Sequence, residues 1–176
     1  GSGIVQYKKG VFSSFSTRKG SIPKSIRTLL KTKSGKIYVG TNNAGLHCIE
    51  GDSIYTITHP GLDESAIMSM VEDSYGTIWI ATDGSGLFSL KDRMVKKYTV
   101  SDGLLINNVL ALHLSKDNKL LIGMTKGLQE LDESEVFHTL NQFNNKQINT
   151  LWVDDWNSIW AGTEYGLVRY NSAIDR

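Results

Sequence analysis

The chain has 176 residues, which suits one ordinary domain. Nineteen Lys and Arg against eighteen Asp and Glu leave a net charge of +1, so the sequence lacks the basic excess that nucleic-acid binding requires. Apolar residues make up 40% of the sequence, and no apolar run reaches the ~18 residues of a membrane span. The single cysteine, Cys48, excludes an internal disulfide framework. Seventeen glycines and two prolines instead indicate short strands joined by tight turns.

The sequence repeats itself. The segment Gly-Lys-Ile-Tyr-Val-Gly-Thr at 35–41 returns at 76–82, more weakly at 118–124 and clearly at 157–163. A Gly-Leu pair follows each copy, with spacings of 41, 41 and 39 residues between successive pairs. Self-similarity at such a period is the signature of a repeat architecture, and four copies are nearly complete.

Each copy contains four short apolar runs, which predict four strands. The first run, at 26–32, 67–73, 109–115 and 148–154, has a small residue near its start, as expected where sheets converge on an axis. The second run is the repeated segment, which is apolar on both faces and predicts a central, covered strand. The third run begins at each Gly-Leu pair and alternates. The fourth is the most polar, which predicts an outer edge strand.

These strands predict an all-β fold, a β-propeller built of four-stranded antiparallel blades, with about four blades in this chain. We place the blades at 21–58, 65–99, 107–140 and 148–171 of a single propeller segment, 1–176. Residues 3–16 are predicted to be the outer strands of a preceding or closing blade. Ankyrin and tetratricopeptide arrays need a helical periodicity that is absent here, and leucine-rich repeats are shorter.

The turn after the first strand has a recognisable chemistry. Asp73 and Asp154 end that strand ahead of Gly76 and Asn157. An Asp side chain accepts hydrogen bonds from the backbone of the following residues, and Gly and Asn tolerate a positive φ. The pattern therefore predicts an Asx turn in these two copies.

The pattern Asp-x-x-Gly-x-Ile-Trp-Ile-Ala-Thr, followed by Gly-Leu and cleanest over 73–87, resembles the two-component regulator propeller repeat. The third copy departs from it, with Asn118, Leu121 and Met124 in place of Gly, Trp and Thr. The resemblance implies the extracytoplasmic sensor region of a hybrid sensor histidine kinase of the Bacteroidetes type. It further implies a periplasmic location and the sensing of an oligosaccharide, with the signal passed to a kinase.

The resemblance also implies a larger assembly, because this family usually closes seven blades. We expect the chain to be a piece of a longer propeller region whose partners are adjoining blades or domains of the parent protein. Three arrangements stay open: a sealed four-bladed ring, a homodimer that makes one eight-bladed ring, and an open arc. An unpaired edge strand favours a closed or paired form.

Aromatic residues supply the candidate binding site. Trp79 and Trp160 share one repeat column and are interpreted as packing between blades. Non-repeating residues are better candidates, since the scaffold does not require them. Trp156 stands in the column of Tyr75, and Trp152 stands where other copies have smaller residues or histidine. Because aromatic faces suit sugar rings, we expect Trp156, Tyr75 and Trp152 to contribute to an oligosaccharide-binding rim.

The sequence offers little for catalysis. Its four histidines have no metal-ligand spacing, so we predict no metal and no cofactor, and we predict no enzymatic activity. The basic stretch 91–97 is interpreted as charges that keep an outer strand soluble. Two alternatives remain: a protein-interaction scaffold without a small ligand, and a propeller lyase, since related lyases use a channel histidine and His113 lies on an inner strand.

Overall fold

The structure, a computed structural model, describes residues 4–15, 19–20 and 23–171, which form five antiparallel sheets. The first is a hairpin of β1 (Val5–Lys8) and β2 (Val11–Ser14), and each of the other four contains one copy of the repeat. The strands of those four sheets are β3 (Ile26–Lys31), β4 (Ile37–Thr41), β5 (Leu46–Glu50) and β6 (Ser53–Ile57); β7 (Ile67–Glu72), β8 (Ile78–Thr82), β9 (Gly86–Lys91) and β10 (Met94–Tyr98); β11 (Val109–Leu114), β12 (Leu120–Met124), β13 (Gly127–Leu131) and β14 (Phe137–Thr139); and β15 (Ile148–Val153), β16 (Ile159–Thr163) and β17 (Gly166–Tyr170).

The predicted four-run pattern is confirmed in three copies, and the described part of the last copy has three strands. The second strands β8 and β12 are buried along their whole length, as their apolar faces predict. The most polar strands β6, β10 and β14 each lie at the end of a sheet. Single 3-10 turns, Val100–Asp102 and Asn141–Phe143, interrupt the strands, and no helix in the described ranges has the length and apolarity of a membrane span.

The chain divides into two compact units, Gly1–Ile67 and Met68–Arg176. In the first unit, one cluster of the core contains Val39, Ile49 and Ile54. Ile4 and Phe15, at the open end of the β1–β2 hairpin, pack against this core, and the Phe15 N–H donates to the Ile4 carbonyl at 2.8 Å. These contacts anchor a hairpin that is too small to be stable alone.

The second unit contains the last three repeat sheets, and its core lies between them. One cluster joins Trp79 on β8 to Leu120 and Leu131 of the next sheet. Close approach explains the glycine in the fourth position of β12, since a Cβ on Gly123 would lie 2.7 Å from Ile148 Cγ2 on β15. The small residues of the repeated segment therefore let neighbouring sheets pack together.

Candidate functional site

The turn between β7 and β8 is built around one buried carboxylate. Asp73 Oδ1 accepts hydrogen bonds from the N–H groups of Tyr75 at 2.9 Å and Thr77 at 2.8 Å. Its Oδ2 accepts from the Trp79 indole Nε1 at 3.0 Å. Gly76 completes the turn with a φ of +78°. The predicted Asx turn is confirmed, and the indole bond to the same aspartate is an addition that sequence spacing did not reveal.

The same turn recurs in the fourth repeat. Asp154 Oδ1 accepts from the N–H groups of Trp156 at 3.0 Å and Ser158 at 2.8 Å, and Oδ2 accepts from the Trp160 indole at 2.9 Å. Burial favours the neutral acid, but the combined hydrogen bonds outweigh it and lower the pKa of Asp154. Asp154 therefore stabilises the turn between β15 and β16.

A surface groove of about 520 Å³ lies between the β7–β10 sheet and the β11–β14 sheet. Its lining combines aromatic rings, carboxylates and lysines, and the Tyr75 side chain stands at its rim with 60% of the residue exposed. We call it the Tyr75 groove. The lining residues used below are Tyr75, Trp79, Lys91, Lys96, Glu133 and Glu135.

An acidic turn after β13 presents the carboxylates of the groove. Asp132 Oδ1 accepts from the N–H groups of Ser134 at 2.8 Å and Val136 at 3.0 Å, and this folds the chain back sharply. The turn places Glu133 and Glu135 towards the groove, with Glu135 in the left-handed region at a φ of +59°. Asp132 is itself held by His138, and that contact is the largest cause that lowers its pKa.

Two contacts span the Tyr75 groove. The Tyr75 hydroxyl donates to Glu133 Oε1 at 2.9 Å, and the Lys96 ammonium donates to Glu135. The carboxylate of Glu133 raises the pKa of the Tyr75 phenol. The Glu135 carboxylate raises the pKa of Lys96, and the lysine in turn lowers the pKa of Glu135. All four groups are thus held in defined positions while their side chains remain open to solvent.

The equivalent groove between the third and fourth repeat sheets is much smaller, about 130 Å³. There Lys119 Nζ and Glu130 Oε1 form an ion pair at 2.8 Å among the lining residues. The matching positions in the Tyr75 groove are Thr77 and Ser89, whose side chains are far shorter. The second copy therefore leaves open a space that long side chains occupy in the third.

The three aromatic residues predicted from the sequence lie in different places. Tyr75 lines the Tyr75 groove, whereas Trp152 and Trp156 belong to the fourth repeat sheet and its first turn and do not line that groove. Trp156 is 77% exposed and Trp152 is 57% exposed. Trp152 lies directly opposite Trp160 across the β15–β16 pair. Both tryptophans remain predicted ligand contacts of a separate surface.

Sequence reasoning missed the charged residues of the Tyr75 groove. It assigned 91–97 to an outer, solvated edge, but Lys91 and Lys96 line the groove. The residues facing them, Glu133 and Glu135, lie in a turn whose shape is not visible in a strand pattern. The signal that could have found them is departure from the repeat, the criterion that selected Trp156.

His113 is part of β11, and its side chain contacts the neighbouring strand β15. Its Nε2 accepts a hydrogen bond from the Val153 N–H at 3.3 Å, which joins β11 to β15. This acceptor must be unprotonated, and burial lowers the pKa of the imidazole accordingly. The contact gives His113 a packing function.

The repeat itself has a counterpart among known families. A family model described as "Two component regulator propeller" matches residues 61–84, a range that includes the Asp73 turn and β8. The second copy of the repeat thus matches a two-component regulator propeller repeat. The other three copies share the pattern that the matched copy shows most clearly. No curated protein sequence matches the chain.

Similar solved structures confirm the predicted β-propeller fold. The extracellular domain of a B. thetaiotaomicron protein assigned to a one-component system is 27% identical, with a TM-score of 0.78, over 97% of this chain and 25% of that chain. Another extracellular domain from the same organism, assigned to a hybrid two-component system, is 22% identical, with a TM-score of 0.81. The match covers 98% of this chain and 24% of that chain. A virginiamycin B lyase from Staphylococcus aureus is 12% identical, with a TM-score of 0.62, over 85% and 56%. The chain thus spans about a quarter of the length of the first two relatives.

Proposed function

We propose that the chain is a ligand-sensing propeller segment of an extracytoplasmic sensor, and that its Tyr75 groove binds an oligosaccharide. The first part is supported by the similar solved structures, two of which are extracellular domains assigned to one-component or two-component systems. The second part is carried by one observation: an exposed tyrosine ring stands at a groove whose two walls both bear charged hydrogen-bonding groups.

The groove offers the contacts that a sugar needs. The apolar face of a pyranose stacks on an aromatic ring, and Tyr75 presents a ring that its hydroxyl anchors to Glu133. Sugar hydroxyls donate to carboxylates and accept from ammonium groups, which Glu133, Glu135 and Lys96 supply. A few directed polar groups beside an apolar surface are typical of small-molecule sites.

The position of the groove also suits signalling. Tyr75 and Lys96 come from one sheet, while Glu133 and Glu135 come from its neighbour. A sugar that replaces or extends the contacts between these pairs favours one spacing of the two sheets over others. Such differential binding is the requirement for a ligand to shift a conformational equilibrium.

Calorimetric titration of the chain with a panel of neutral and acidic oligosaccharides tests this proposal. We expect saturable binding to at least one glycan class, and loss of that binding in Tyr75→Ala. Tyr165→Ala is the matched control, because Tyr165 is 83% exposed and does not line the groove. Absence of binding across the panel would overturn the proposal, and so would equal loss of affinity in both variants.

Trp152 and Trp156 form the second part of the predicted rim. The same titration with Trp156→Ala and Trp152→Ala tests whether the fourth repeat sheet contributes. We expect weaker binding of longer oligosaccharides only, since these residues do not line the Tyr75 groove. Unchanged affinity at every chain length would remove them from the site.

A further inference from the structure

One position of the repeat reverses its charge in the second copy. It lies five residues after the glycine of each Gly-Leu pair, at the end of the third strand. The four copies carry Glu50, Lys91, Asp132 and Asn171 at this position. Two acids and an amide thus stand where the second copy has a lysine, and that lysine lines the Tyr75 groove.

In the other copies, this position serves the sheet to which it belongs. Glu50 pairs with Lys36 at 3.2 Å. Asp132 pairs with His138 at 2.7 Å. The Asn171 side-chain amide donates to the Trp156 carbonyl at 2.9 Å. A local polar partner therefore accounts for the residue in each of these three copies.

Lys91 differs because it makes no such contact. Within the described part of the chain, no carboxylate lies within ion-pairing distance of its Nζ. The residue is exposed, and the ammonium lies 6.0 Å from the centroid of the Tyr75 ring. Because this ammonium stands beside the ring proposed to bind a sugar, it defines a second contact point for a ligand.

The remaining charges of the groove already have partners. Lys96 binds Glu135, and Glu133 accepts from the Tyr75 hydroxyl. Asp73 and Asp132 are occupied by hydrogen bonds within their own turns. These hydrogen bonds satisfy the carboxylates but leave their charge in place, so within the described lining of the groove Lys91 is the cation left to meet an added anion.

Resting on the function proposed above, we propose that the Tyr75 groove takes an acidic saccharide, with the sugar face on Tyr75 and the carboxylate or sulfate group on Lys91. The two contacts lie on one wall of the groove, at the turn after β7 and at the end of β9. A charge-assisted hydrogen bond from an ammonium is stronger than a neutral one, so the acid group provides selectivity over neutral sugars.

Titration with three probes separates the possible ligands: trigalacturonate for a carboxylate, a sulfated carrageenan tetrasaccharide for a sulfate, and cellotriose for a neutral sugar. We expect an acidic probe to bind at least about tenfold more tightly than cellotriose, and Lys91→Gln to abolish that difference. Lys97→Gln is the matched control, because it removes the same charge from the same pair of strands and Lys97 does not line the groove.

The outcomes distinguish this inference from the proposed function. If cellotriose binds as tightly as the acidic probes, the acidic class is wrong while oligosaccharide binding stands. If an acidic probe binds equally to the chain and to Lys91→Gln, the assignment of the acid group to Lys91 is wrong. If none of the probes binds and the wider oligosaccharide panel also fails, both proposals fall.

Discussion

The indole of Trp79 donates a hydrogen bond to Asp73 Oδ2 at 3.0 Å, and the same aspartate holds the backbone of the turn between them. The bond ties the central strand β8 to the end of the inner strand β7. Its consequence for the site is direct, since the turn that Asp73 shapes carries Tyr75 to the rim of the groove. The scaffold and the proposed ligand contact thus depend on one carboxylate.

Asp73→Ala should destabilise the chain by about 3 kcal/mol, because it leaves two backbone N–H groups and a buried indole N–H without an acceptor. Urea unfolding measures this change. The matched control is Asp83→Ala, which removes the same charge from an exposed position that accepts from Asn108, and should cost below about 1 kcal/mol. Equal costs would contradict the structural importance assigned to Asp73.

The turn glycine of the second copy should accept asparagine. Gly76 has a φ of +78°, and the corresponding residues Asn118 and Asn157 adopt +60° and +62°. No atom lies within 4 Å of a Cβ built on Gly76, so backbone conformation alone decides the outcome. We expect Gly76→Asn to be nearly neutral and Gly76→Val to lose about 1–2 kcal/mol in chemical unfolding. A valine variant as stable as the asparagine variant would refute this.

Acidification should weaken the packing between β11 and β15. Burial holds the pKa of His113 below its usual value of 6.5, so the folded chain binds this proton less readily than the unfolded chain. The contribution of neutral His113 to the free energy of unfolding is therefore complete above about pH 6.5 and is lost as the pH falls below that value. His113→Gln can still accept from the Val153 N–H but does not titrate.

The comparison of the two chains isolates this effect. Between about pH 7 and pH 5, the free energy of unfolding should fall more steeply for the native chain than for His113→Gln. Burial also lowers the pKa of His47, but that residue is present in both chains and its contribution cancels. Parallel pH profiles would show that His113 does not titrate with folding.

The strands and the Asx turns could be predicted because each depends on a short stretch of sequence. Alternation and apolar runs identified β8 and β12, and Asp73 three residues before Gly76 identified the turn. The repeat strengthened every such prediction, since four copies display the same constraint. Sequence patterns of a few residues were therefore sufficient for strands and turns, whose conformation depends on neighbouring residues in the chain.

The groove could not be predicted in this way, because it depends on two sheets at once. One wall carries the short side chains of Thr77 and Ser89, and the next sheet adds Glu133 and Glu135 to the lining, so neither sheet alone defines the groove. Trp156 was selected because it departs from the repeat. Lys91 departs equally and changes sign, but its place at the start of the basic stretch 91–97 hid it among residues interpreted as solvated.

The central claim is that the Tyr75 groove binds an oligosaccharide, and filling the groove tests it most directly. The double variant Thr77→Lys, Ser89→Glu transplants the ion pair that occupies the smaller groove, where Lys119 and Glu130 lie 2.8 Å apart. The variant is first shown to be folded, with the same thermal unfolding midpoint as the native chain. It is then titrated with a glycan that binds the native chain, and we expect no measurable binding. Binding of native strength by this folded variant would contradict the account and place the ligand elsewhere.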